Sequence, residues 1–276
     1  MRRTKNFSVL KKLYTAFVLC AVLVLARGVA ASPAFCYDFE FNGTIEPHDA
    51  TSHLLAFYVN KFTPEEFSLT VSGQPDATGK FSDIYMDLTG VMIDKNLRLD
   101  KLAFRMYNAQ FNAPENWAAG DVKCEDALQI YALGTILESD INKSLEKKTF
   151  GSDDHWRNVK LAITPEGLRG KGYYMAKVMF VTLDILIEID SGLKIVGNKE
   201  LWLDKPEVRV NTLDLPEYVT NKALSQIQPL LDLNRFPLPI SLHKVTLEKE
   251  KAILSTRTLP KPMERGITYH YRNVQH

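Results

Sequence analysis

Residues 177–210 read KVMFVTLDILIEIDSGLKIVGNKELWLDKPEVRV, with an apolar side chain at almost every second position. Period two places successive side chains on opposite faces of an extended chain. Met179, Val181, Leu183, Ile185, Ile187 and Ile189 then share one face, while Asp184, Glu188, Asp190, Lys194 and Glu200 fall on the other, which is expected to meet water. Asp190-Ser191-Gly192 reads as the reversal, and residues 193–203 as the returning strand. Such β-branched density over this length predicts a large, curved sheet rather than helices. The stretch carries no catalytic motif.

Neighbouring segments extend the sheet in both directions. FSLTV and KFSDIYMDLTGVMID read as strands, and LRLDKLAFRMYNAQF follows after an Asp-Lys-Asn turn, with Leu102, Phe104 and Met106 on one side and Arg105 and Tyr107 on the other. These segments predict a long antiparallel hairpin. VKLAITPEGLRGKGYYMAKV is strand, turn, strand, with Pro165 and Gly167 at turn positions. FPLPISLHKVTLEKEKAIL gives a last hairpin with a charged tip at 248–251.

Three helices are expected. Residues 47–62 place Leu54, Leu55, Tyr58 and Phe62 near one face and stop before Pro64. Residues 135–151 repeat Leu137, Ile141 and Leu145 every four residues and end at Gly151. In DLPEYVTNKALSQIQPLLDL, residues 214–233, Tyr218, Ala223, Leu224, Ile227 and Leu231 can pack inward, with Pro216 suited to a first turn and Pro229 to a kink. The predicted class is α+β: a long, highly curved antiparallel sheet wrapped around one or two amphipathic helices.

The N-terminus reads as an export signal. Arg2, Arg3, Lys5, Lys11 and Lys12 precede an apolar stretch at 13–26, and ARGVAASPA offers small residues for cleavage. Residues 1–34 are assigned to this signal, 35–257 to one domain, and 258–276, with its prolines and glycine, to a flexible tail. Localisation in the periplasm or cell envelope follows. The signal holds six basic and no acidic residues, so the remainder carries 28 basic against 33 acidic residues, a net charge of −5. A mildly acidic domain does not suit nucleic acid, which needs a basic face. Contact with a membrane surface would be transient, with apolar burial supplying most of the attraction. Cys20 leaves with the signal; Cys36 and Cys124 remain as a candidate disulfide or as two separate thiols.

Chemistry-bearing motifs are sparse. The SDDHW run places Asp153, Asp154 and His155 together, but a loop triplet without further ligands at suitable spacing makes a poor metal site. No G-x-S-x-G elbow and no glycine-rich phosphate loop occur; GLRGKG sits at a turn between strands. Lys160, Arg169, Lys171 and Lys177 are placed to meet lipid phosphates at a rim, or to form a solvated strand edge. The reading is of a non-enzyme without cofactor or metal.

The segments SDIYMDLTGVMIDKNLRLDKLAFRMYNAQF, ILESDINKSLEKK, VKLAITPEGLRGKG, GNKELWLDKPEVRV, LPEYVTNKALSQIQPLL and RFPLPISLHKVTLEKEKAIL, taken in order, resemble the LmeA-like phospholipid-binding family. The similarity spans about residues 45–257, and its most specific piece is Pro237-Leu238-Pro239. The resemblance implies an extracytoplasmic protein related in shape to TULIP-type lipid carriers, whose curved sheet wraps a helix and leaves an apolar gap for acyl chains. No catalytic residues carry over. The expected lining of that gap is Phe104, Met106, Leu137, Ile141, Met179, Val181, Leu183, Ile185, Ile187, Leu224 and Ile227. The expected partner is a phospholipid or other acyl lipid. The alternative is a non-enzymatic envelope assembly factor acting through protein contacts, with no particular protein partner indicated.

Overall fold

The structure, a computed structural model, describes residues 37–93, 97–147, 156–178, 181–214 and 228–274. It is mostly strand with few helices, and its antiparallel sheet curls strongly into a half-barrel, consistent with a TULIP-like α+β fold.

The first sheet is built on the predicted hairpin, β3 (Lys80–Met92) against β4 (Arg98–Phe111), flanked by β2 (Glu66–Val71) and β5 (Cys124–Leu137). Beyond β5 lies the charged-tip hairpin, β13 (Lys251–Ser255) and β12 (Lys244–Glu248); beyond β2 lie β14 (Ile267–Arg272) and then β1 (Tyr37–Asn42). Alternation puts one apolar row straight across it. Phe39 pairs with Tyr269, Tyr269 with Leu69, Leu69 with Met86, Met86 with Phe104 and Phe104 with Ala132.

Helix α1 (Ala50–Phe62) covers this face with Leu54, Leu55, Tyr58, Val59 and Phe62. It starts at Ala50, three residues inside the expected 47–62, because Asp49 caps it: the carboxylate accepts from the Ser52 amide at 2.7 Å, while the Ser52 hydroxyl accepts from the Asp49 amide at 2.9 Å. It stops at Thr63, which takes a left-handed conformation ahead of Pro64. The Pro-Leu-Pro segment closes the same core, burying Leu238, Ile240 and Leu242 and stacking Phe236 on Phe62.

The second sheet has the order β10-β9-β8-β7-β6: β10 (Leu213–Asp214), β9 (Glu200–Val210), β8 (Val181–Val196), β7 (Gly167–Val178) and β6 (Trp156–Thr164), with the short β11 (Leu231–Asp232) also on β9. Helix α2 (Glu138–Lys147) connects the sheets in sequence and guards the free edge of β6. Asn142 pairs with both backbone groups of Leu161, at 2.8 and 2.9 Å, and Glu138 accepts from the Ile163 amide at 2.8 Å. Two side chains thus satisfy groups that would otherwise recruit another strand.

Three expectations need correction. The reversal in the opening stretch is at Gly197-Asn198, both at positive φ, and not at Asp190-Ser191-Gly192. The latter triplet is absorbed as a bulge inside β8, where the Ser191 hydroxyl is tied to the Asp204 carbonyl at 3.0 Å. Residues 135–137 belong to β5, a strand whose alternation is diluted by Ala127, Ala132 and Gly134 and by an exposed Leu128, so that α2 begins only at Glu138. Within the expected tail, 258–276, the described residues up to 274 are not loose: β14 inserts between β1 and β2, with Tyr269 fully buried and His270 bonded to Ser68 at 2.9 Å. On the way there the chain crosses the outside of the first sheet, where Arg105 donates to the Lys261 and Pro262 carbonyls. The helix expected within 214–233 falls largely on residues outside those described.

Candidate functional site

The apolar side chains divide into two clusters that differ in how far they are covered. The first, under α1, is filled by the protein itself. Phe104 and Met106 are fully buried there, and the Phe104 ring lies 6.0 Å from that of Phe236. These two predicted lining residues are therefore core residues, held by neighbours that leave them no exposed surface.

The second cluster lies on the inner face of the second sheet and is half covered. Only Ile163, Leu168, Leu203, Val208 and Ala252 are buried; Ile141, Leu161, Ile187, Ile189, Leu193 and Leu247 pack on them while keeping part of their surface exposed. The register explains the shape. Gly170 faces Ile189 and Gly172 faces Ile187 across β7 and β8, so one strand of the floor lacks side chains where its neighbour carries isoleucines. A Cβ added at Gly170 would meet nothing nearer than Ile189 at 3.9 Å, so there is open room above it. The result is a half-covered apolar face with Ile141 of α2 packed against it. Half-covered methyls of this kind gain about 25 cal/mol per Å² when an acyl chain removes them from water.

Other predicted lining residues distribute around it. Ile185 is half-buried, opposite Tyr174, and Leu137 is half-buried at the end of β5, one residue ahead of α2. Val181 and Leu183 hold their register in β8, opposite Val178 and Ala176. Met179, Leu224 and Ile227 lie outside the described residues, as do Asp153, Asp154 and His155. The Cys124 thiol is partly buried; that burial, with the carboxylates of Asp126 and Glu125, pushes its pKa up to about 12, which makes it a poor nucleophile. Cys36, its expected partner, lies outside the described residues.

Sequence reading put Glu188 and Asp190 on the water-facing side and Lys160, Arg169 and Lys171 at a rim or strand edge, but missed Arg209 and the alignment of these charges across strands. Cross-strand pairing lines up Lys160, Lys171, Glu188 and Arg209 in one row, and Arg169 and Asp190 in the next. Asp190 accepts from Arg209 and lies 3.5 Å from Arg169, while Glu188 lies 3.9 Å from Arg209. A cleft of about 360 Å³ opens here, lined by these residues together with Glu138, Asn142, Leu161 and Ile189. A second cleft of about 610 Å³ adjoins it over the β8 bulge and shares Arg169, Asp190 and Arg209. The registers that would have exposed this arrangement are long-range properties, invisible in single strands.

Comparison with family models matches residues 61–257 to one described as LmeA-like phospholipid-binding. Comparisons with curated proteins and with solved structures gave no match.

Proposed function

Because the chain belongs to the LmeA-like phospholipid-binding family, we propose that it is an exported carrier, and not an enzyme, that holds phospholipid acyl chains along the half-covered apolar face of the second sheet. The observation that carries this reading is the contrast between the two apolar clusters. One is closed by α1 and the Pro-Leu-Pro segment; the other leaves Ile141, Leu161, Ile187 and Ile189 half exposed. Each methylene laid on that surface contributes about 0.8 kcal/mol before ordering costs, so a sixteen-carbon chain supplies on the order of 10 kcal/mol gross without a charged anchor. The basic and apolar residues 1–34 support export, and the acidic balance of the remainder supports brief rather than lasting contact with anionic membrane.

The test is extraction from vesicles of phosphatidylethanolamine and phosphatidylglycerol. After flotation, the wild-type protein should retain phospholipid and an Ile187→Asp variant should not. A wild-type protein that emerges free of lipid contradicts the proposal.

A further inference from the structure

We propose that the chain pairs with a second copy of itself through the free edge of β5, an inference independent of the carrier reading. On one side β5 is paired with β4 from Cys124 to Thr135, but on the other β13 covers only residues 133–137. Thr256 extends that cover by one residue: its amide donates to the Ala132 carbonyl at 3.1 Å, and its hydroxyl accepts from the Ala132 amide at 2.9 Å. Among the described residues no strand pairs with the outer edge of 125–131. Exposed edges invite other strands and are ordinarily guarded by charge, proline or cover, as Asn142 and Glu138 guard β6. The sequence EDALQIY at 125–131 holds no lysine, arginine or proline. Its two acidic residues sit at one end, and at its midpoint Leu128 is 72% exposed.

The span is complementary to itself. The offset between β4 and β5 is constant from Thr135 to Asp126, so the strand keeps its alternation over that length. Because the amide and carbonyl of Ala132 both point outward, those of Ile130, Leu128 and Asp126 point the same way. A two-fold axis through Leu128 sets Leu128 opposite Leu128 of the second copy and Asp126 opposite Ile130 of the second copy, so outward groups face outward groups in every pair. The two exposed leucines then cover each other. Glu125 falls opposite Tyr131 of the second copy, so no like charges meet across the ribbon. The whole span pairs without displacing Thr256 or β13 of either copy, and the two eight-stranded sheets become continuous.

Sedimentation equilibrium of the wild type and of the Leu128→Lys and Leu128→Glu variants tests the pairing. The wild type should pass from monomer to dimer as concentration rises. Each variant sets like charges opposite each other at the axis and should weaken the dimer by on the order of tenfold or more. An equal mixture of the two variants should regain the dimer, because lysine then faces glutamate, a recovery that pairing through another surface would not give. Circular dichroism of both variants should match the wild type, since the side chain is exposed in the single chain. A wild type that stays monomeric overturns the proposal, whether or not the edge accepts a strand of another protein. A dimer that both variants leave intact, or that the mixture fails to restore, overturns the pairing through Leu128. Loss of native dichroism in either variant contradicts the open edge on which the proposal stands.

Discussion

The Tyr269 hydroxyl donates to the Asp49 carboxylate at 2.5 Å, tying the last strand to the cap of the first helix across 220 residues of sequence. Gln74 completes the joint, donating to the same carboxylate at 2.9 Å and to the tyrosine oxygen at 2.6 Å. Burial alone would raise the Asp49 pKa, but the bonds from Tyr269 and Ser52 outweigh it and hold the group below its ordinary value. Tyr269→Phe should cost about 1–3 kcal/mol in urea unfolding, the range for a buried hydrogen bond to a charged group.

The same joint sets an acid dependence. A carboxylate with a depressed folded-state pKa contributes stability that is complete above its unfolded value, about 3.9, and is lost as pH falls through the folded value. Unfolding free energy measured between pH 5 and pH 2 should therefore fall less steeply in Tyr269→Phe than in the wild type. Parallel slopes would show that the bond does not hold the proton off Asp49.

Truncation after Arg257 should abolish the native fold. It removes β14, leaving β1 without its partner and β2 with an open edge, and it removes the crossing segment that Arg105 holds. Far-ultraviolet circular dichroism and size-exclusion chromatography of the truncated chain should report unfolded or aggregated protein. A native, monomeric product would mean that the last strand is dispensable.

Arg98 joins three elements, binding Glu65 through two nitrogens at 2.9 and 3.0 Å and Asp140 of α2 at 2.8 Å. Asp140 is buried and its neighbour Lys143, 3.9 Å away, is exposed, so Arg98→Met leaves that charge poorly compensated and should cost about 3 kcal/mol. Adding Asp140→Asn should recover part of that loss, a coupling that a double-mutant cycle measures. Gly90→Ala should weaken the same joint. Gly90 sits at φ +64, and an added Cβ would lie 2.2 Å from the Glu65 side chain.

Local pattern carried the parts of the fold whose partners are near in sequence. The 80–111 hairpin, the 244–255 hairpin and the body of α1 were legible because alternation, turn residues and helical spacing act within a few residues. The C-terminal strand was not, because its proline-rich approach resembles a tail and its pairing with β1 is parallel and spans the whole domain. The 190–192 triplet misled because polar turn residues also fit a bulge, whereas Gly197-Asn198 supplied the two positive-φ residues that a tight hairpin turn requires. For the site, alternation identified which side chains share a face. It could not reveal that Phe104 and Met106 lie under α1 while Ile187 and Ile189 remain half open, since cover is a tertiary property.

The most direct test of the proposed carrier function is native mass spectrometry of the protein purified without detergent, followed by incubation with phospholipid vesicles. Discrete added masses equal to phospholipid are expected, lost in the Ile187→Asp variant. A bare polypeptide mass before and after incubation would contradict it.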